Sequence, residues 1–224
     1  MSRLRHKPPM QPHEPDLPQV FEDNELPRVE SGGRYGDLAL TDWNASNLGA
    51  EALTFDTVAM IRANLASTRW PKLRISDVRL QHSDLSNAIW AQAALTRIEV
   101  IDSRLTGSRL NESQIRDVRF VDCKADLAQF RFSKFKSVRF EKCDLREADF
   151  QGADLREVVF QHCDLTGAHF SGANLSGADM RGSKLDDLNL LPADLEGVII
   201  DQGQAIALSP FFAALLGLVV LSDS

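Results

Sequence analysis

From Leu53 to Gln202 an apolar residue, nearly always a large one, stands at every fifth position. Thirty such centres run from Phe55 to Ile200 without a slip, and all thirty are apolar, where an overall apolar content of 43% would place about thirteen. The pattern is cleanest from Phe140 to Met180, FEKCDLREADFQGADLREVVFQHCDLTGAHFSGANLSGADM. Neither a helix nor a strand repeats every five residues. A chain with this period is restricted to a solenoid, in which short units bury their faces only by stacking on copies of themselves.

The position two before each centre is always Ala, Ser, Thr, Cys, Val, Ile or Leu and never charged. Two positions of each five therefore face inward, Val138 among them, and three face solvent, Arg139 among them. The seven glycines of the span (Gly107, Gly152, Gly167, Gly172, Gly177, Gly182, Gly197) all lie two after a centre, where a chain that turns is relieved by glycine. A second period sets the size of the coil. Val58, Val78, Ile98, Val118, Val138, Val158 and Val198 recur at multiples of twenty, with Ala178 the exception. Ser83, Ser103, Cys123, Cys143, Cys163 and Ser183 form another such series. Four pentads per coil, stacked at ~4.8 Å per layer, predict a square tube about 36 Å long.

Residues 1–33 hold six of the nine prolines and few apolar side chains, so they are expected to form a disordered tail. Residues 34–202 are assigned to the β-helix. Within them, 34–52 form a first, imperfect coil in which Leu38, Trp43 and Leu48 set the spacing, followed by a two-residue jump to the register of Phe55. Residues 203–224 abandon the period and are expected to cap the tube. Ser209 and Pro210 read as the start of a short helix, Gly217 as its stop, and Leu218 to Leu221 as a final strand. Ala205 to Leu221 carry no charge, but Pro210 and Gly217 interrupt a stretch already at the short limit for a membrane span, so membrane insertion is disfavoured.

The net charge of −7 is unevenly spread. Residues 54–142 hold 16 Lys/Arg against 10 Asp/Glu, whereas residues 143–202 hold 4 against 12. Such polarity steers partners and says nothing of fold. His82 and His162 lie four coils apart and cannot share a metal. The stacked cysteines point one way, which suits neither disulfides nor a tetrahedral ion. Phosphate-binding glycine loops and basic-aromatic surfaces for nucleic acid are missing. No enzyme class, metal, cofactor or nucleic-acid partner is expected. An odd cysteine count and the lack of a secretory signal point to the cytoplasm.

ADFQG (148–152), ADLRE (153–157), CDLTG (163–167) and ANLSG (173–177) resemble the A(D/N)LXX motif of the pentapeptide repeat family. The resemblance covers about 150 residues and implies an all-β fold, a right-handed quadrilateral parallel β-helix with a short C-terminal helical cap. A solenoid without catalytic groups reads as a rigid, non-enzymatic scaffold for a protein partner whose identity the sequence does not give. The segment GVIIDQGQAIALSPFFAALLGLVV also resembles the closing segment of gyrase-binding members, in which a helix and strand join two subunits. That likeness implies a homodimer through Phe211, Phe212, Leu215 and Leu216. It also implies a DNA-like acidic surface for gyrase, formed by Asp144, Glu147, Asp154, Glu157, Asp164, Asp186 and Asp187.

Overall fold

The computed structural model describes residues 10–21, 28–215 and 217–219. Seven parallel strands form one sheet in sequence order: β1 (Arg34–Thr41), β2 (Thr54–Ile61), β3 (Arg74–Gln81), β4 (Ala94–Ile101), β5 (Gln114–Val121), β6 (Lys134–Glu141) and β7 (Val159–Gln161). Each pairs with the next at an offset of twenty, so that Phe55 lies opposite Ile75, Val78 opposite Ile98 and Phe120 opposite Phe140. Isolated bridges carry the same offset along the other faces, from Asn44 to Lys184 on one and from Gly49 to Asn189 on another. Four pentads per coil thus close a quadrilateral parallel β-helix.

The corners fall two residues after each centre. Asp77, His82, Asn87 and Gln92 mark four successive corners, with φ of 52°, 52°, 57° and 58°. Left-handed backbone costs a non-glycine residue about 1–2 kcal/mol. Corner N–H groups are hydrogen bonded to carbonyls of the next coil, as Asn87 N to Thr106 O and Gln92 N to Asn111 O, both at 2.9 Å. At Gly152 a side chain is excluded on a second count, because a Cβ there would meet the Phe132 ring at 2.6 Å.

Inside, like stacks on like. Phe120 lies on Phe140 with centroids 4.6 Å apart, Phe140 on Phe160 at 5.2 Å, and Phe130, Phe150 and Phe170 form a parallel ladder at 5.1 Å. Such aromatic pairs add about 0.5–1.5 kcal/mol beyond the area they bury. Cys123, Cys143 and Cys163 are unpaired and buried in one column, each thiol donating to a carbonyl of the preceding coil (Val100, Phe120 and Phe140). Ser183 Oγ donates to Phe160 O in the same way, which is why serine and cysteine exchange here.

The first coil is in register. Tyr35 pairs with Phe55, Leu38 with Val58 and Leu40 with Met60, so the expected two-residue jump does not occur. Tyr35, Leu40, Ala45 and Ala50 are the centres. Trp43 fills the smaller inward slot, reversing the apparent size order that suggested a jump. The other end also differs from expectation. A helix, α1 (Gln202–Ala207), starts seven residues before Ser209, with Asp201 as N-cap. A second, α2 (Ser209–Leu215), follows, and Leu218 and Val219 are not in a strand. Residues 220 and 221 lie outside the described part.

Residues 10–21, from the segment expected as tail, run without regular secondary structure across the tube. Pro12 and Pro15 are buried against it. His13 N–H is donated to Asp117 Oδ1 at 3.3 Å and Asp16 N–H to Asp77 Oδ1 at 3.0 Å.

Candidate interaction surfaces

A quadrilateral coil sends its outward side chains to four faces, so residues twenty apart share a column. Asp144 and Asp164 are bridged in one column between Lys124 and Lys184. Glu147 and Asp187 mark the corner beside that face, and Asp186 precedes Asp187. Asp154 belongs to a different column, bridged to Lys134 and Asn174, and Glu157 is the corner beside it. Two pentads separate these groups, which places them on opposite sides of the tube. The seven acidic residues therefore do not form one surface.

Three of them are also neutralised locally. Asp144 binds Arg146 and Asp154 binds Arg156, each through two nitrogens with a shortest contact of 2.7 Å. Asp164 accepts from Lys184 Nζ at 2.9 Å and from Thr166. The Arg146 guanidinium holds the Asp144 carboxyl below the usual carboxylate range, and Arg156 does the same for Asp154. Glu147, Glu157, Asp186 and Asp187 are exposed. The Asp-x-Arg spacing that produces the intra-face pairs is visible in DLREADFQGADLRE.

The basic half is tied together between coils. Glu99, only 5% exposed, accepts from Arg79 at 2.8 Å below and Arg119 at 3.2 Å above. Arg119 reaches on to Glu141, which also binds Arg139 at 3.1 Å. Arg139 is thus outward-facing, but its guanidinium is engaged.

At the C-terminal opening the cover is a polar side chain. Gln204, on α1, donates through Nε2 to Met180 O at 2.7 Å and Ser183 O at 2.6 Å, satisfying carbonyls of the last full coil. Its backbone N–H is bound by Asp201, while its Oε1 accepts from Asp201 N, a reciprocal capping box. Leu208 packs on the core. Phe211 and Phe212 are half-buried and touch one another edge to face at 5.6 Å. The Leu215 side chain and the whole of Leu216 lie outside the described residues. Ile206, Leu218 and Val219 stand 66%, 60% and 83% exposed.

His82 pairs with Asp102 at 2.9 Å on the surface, and the neighbouring Ser83 and Ser103 hydroxyls are turned away, donating to the backbone carbonyls of Gln81 and Ile101. The Cys123 thiol is pushed well above the ordinary thiol range, first by the Cys143 thiol and then by burial, so it is a poor nucleophile. Among the described residues no group of His, Cys, Asp and Glu is arranged to hold a metal ion, and no helix is long and apolar enough to cross a membrane. Sequence reasoning missed Gln204, Asp77 and Asp117. The first was signalled by the Asp-x-x-Gln spacing of a capping box. The others were signalled by a recurrence of acid every forty residues (Asp77, Asp117, Glu157).

Residues 93–170 match a family model described as a pentapeptide repeat region, and residues 163–202 match one for pentapeptide repeats in eight copies. No curated protein matches the chain. Among solved structures, a trypsin-treated form of QnrB1, a plasmid-mediated fluoroquinolone resistance protein, is 18% identical, covering 85% of this chain and 100% of its own, at a TM-score of 0.32. HetL, a pentapeptide repeat protein involved in heterocyst differentiation regulation from Nostoc sp. strain PCC 7120, is 16% identical over 79% of this chain and 92% of its own, at 0.28. A pentapeptide repeat protein of the Arabidopsis thaliana thylakoid lumen is 20% identical over 58% and 72%, at 0.23. Likeness at this level assigns no partner to this chain.

Proposed function

The chain belongs to the pentapeptide repeat family, and from that premise we propose that it is a non-catalytic rod that displays fixed side-chain columns to a protein partner. The observation that supports this most directly is the unbroken twenty-residue register, which repeats each outward position at strand spacing. Cross-coil ion pairs such as Arg79–Glu99–Arg119 then hold the displayed groups in place. A preorganised surface gives up little side-chain entropy on binding. Cytoplasmic residence fits the three reduced thiols.

The narrower reading is that the partner is gyrase, met by the acidic half as a duplex-like rod. It draws on the exposed Glu147 and Asp187, and it is weakened by the arginines that neutralise Asp144 and Asp154. One experiment addresses both readings. The full chain, an acid-reversed variant (Glu147→Lys with Asp187→Lys) and a base-reversed variant (Arg104→Glu with Lys124→Glu) are used to capture proteins from native lysate, and separately purified gyrase. A partner held by the parent and lost with one variant supports the display role. Capture that is identical for all three chains, or absent at physiological salt, overturns it. Gyrase retained as well by the acid-reversed chain as by the parent removes the narrower reading alone.

A further inference from the structure

Along three of the four edges of the tube the corner residues are exposed or half-exposed. On the fourth, Asp77, Asp117 and Ser137 are only 6%, 9% and 7% exposed. These side chains point outward, so something outside the tube covers them. The cover is the chain's own residues 10–16, whose backbone N–H groups at His13 and Asp16 meet the carboxylates of Asp117 and Asp77.

The spacing of these contacts identifies the conformation the edge selects. His13 and Asp16 are three residues apart, and Asp117 and Asp77 are two coils apart. Three residues of polyproline II rise ~9.3 Å. Two coils at ~4.8 Å rise ~9.6 Å. The two lattices therefore stay in step, and proline enforces this one. Pro12, Pro15 and Pro18 recur every third residue, and the proline ring holds φ at about −65°. His13 and Asp16 each follow a buried proline, so each turn sets one proline against the tube and one N–H over an acid. Another step of three leads to Met10, and another of forty leads to Glu157. Those two residues line the same groove, with Ile115, Phe135 and Ser137. The coils between hold no acid at this corner. Arg97 occupies one of them and donates to Asp77 Oδ1 at 2.7 Å, fixing the acceptor in place.

We propose that this edge is a binding track for polyproline II segments with proline at every third residue, that residues 10–18 are its resident ligand, and that a proline-rich segment of a partner protein takes the same track when they are displaced. Arg116 and Lys136 stand exposed beside it, which favours acidic ligands such as the resident Glu14-Pro15-Asp16. The track deepens the display role, on which it rests for the existence of a partner.

The test uses the intact chain and a labelled peptide of residues 10–18, MQPHEPDLP. Full-length protein carrying Pro12→Gly and Pro15→Gly loosens its own segment without altering the tube, which circular dichroism would verify. If the resident segment competes, the peptide binds this variant at least about tenfold more tightly than the parent. A permuted peptide with its prolines adjacent binds neither. In the parent, the amides of His13 and Asp16 exchange hydrogen more slowly than in the free peptide. Equal binding to both proteins, equal binding of both peptides, or unprotected amides would each overturn the track. Those results would leave the display role standing, whereas peptide binding with no partner captured from lysate would do the reverse.

Discussion

A charge placed at Val138 has no route to water. Its side chain is 1% exposed, Val118 lies against it on the coil below, and the backbone on either side is locked into the β6 ladder. Val138→Asp is expected to cost at least about 3 kcal/mol, the scale of an uncompensated buried charge. Lys136→Asp is the matched control, since it introduces the same group two residues away on the exposed side of β6. Its effect should stay within about 0.5 kcal/mol. Arg139 is a poorer control, because its guanidinium donates to Glu141 at 3.1 Å and Gln161 at 3.0 Å. Chemical denaturation of the two variants decides the matter, and comparable losses from both would mean that inside and outside have been exchanged. Residue by residue, the tube is thus a two-letter pattern. Cys123 and Ser183 both satisfy one letter because each is a small donor to a carbonyl of the coil below.

At the scale of elements, the covered edge has a chemical signature in acid. Hydrogen bonding to Arg97 is the main influence holding the Asp77 carboxyl below its ordinary range, and Asp16 N–H adds to it against the opposing effect of burial. A carboxyl whose pKa is lower folded than unfolded contributes stability above its ordinary value, about 3.9, and loses that contribution as pH falls through the folded value. Asp77→Asn should therefore lower the unfolding midpoint at neutral pH, and the gap from the parent should narrow as the pH falls below about 3.9. A gap of constant size across that range would show that ionisation of Asp77 does not contribute. Nothing in the chain hid the elements that obey the five-residue period, since β2–β7 and their pairing follow from it directly. What escaped did so for local reasons. Trp43 in a small slot imitated a change of phase. Gly203 masked a helix that Asp201 and Gln204 nucleate by capping each other. Residues 10–21 lie in a segment with few apolar side chains, so composition spoke for disorder, while their observed contacts are two buried prolines and two backbone N–H groups on Asp77 and Asp117. The acidic half read as one surface because charge was summed along the chain, whereas the coil deals successive pentads to different faces.

At the scale of the whole molecule, the end that α1 closes still presents apolar surface. Gln204 satisfies the carbonyls of Met180 and Ser183 and Leu208 packs on the core, while Ile206, Leu218 and Val219 remain exposed and do not cover the opening. A two-fold contact through this end is the commonest way to bury such a patch. Apposing two C-terminal ends also brings the exposed Asp186, Asp187 and Glu196 of each copy towards those of the other. Their repulsion opposes association, and salt relieves it, since exposed charges are screened within ~8 Å at physiological ionic strength. The chain is therefore expected to form a tail-to-tail dimer that tightens as salt rises, the opposite of a contact built on ion pairs. Light scattering at tens of micromolar should report twice the monomer mass for the intact protein and the monomer mass for Ile206→Lys with Val219→Lys. Truncation is a poorer probe, because it removes Gln204 and opens the last coil. An intact chain that stays monomeric at every salt concentration would reduce the C-terminal segment to a cap, with its apolar side chains left for a different partner.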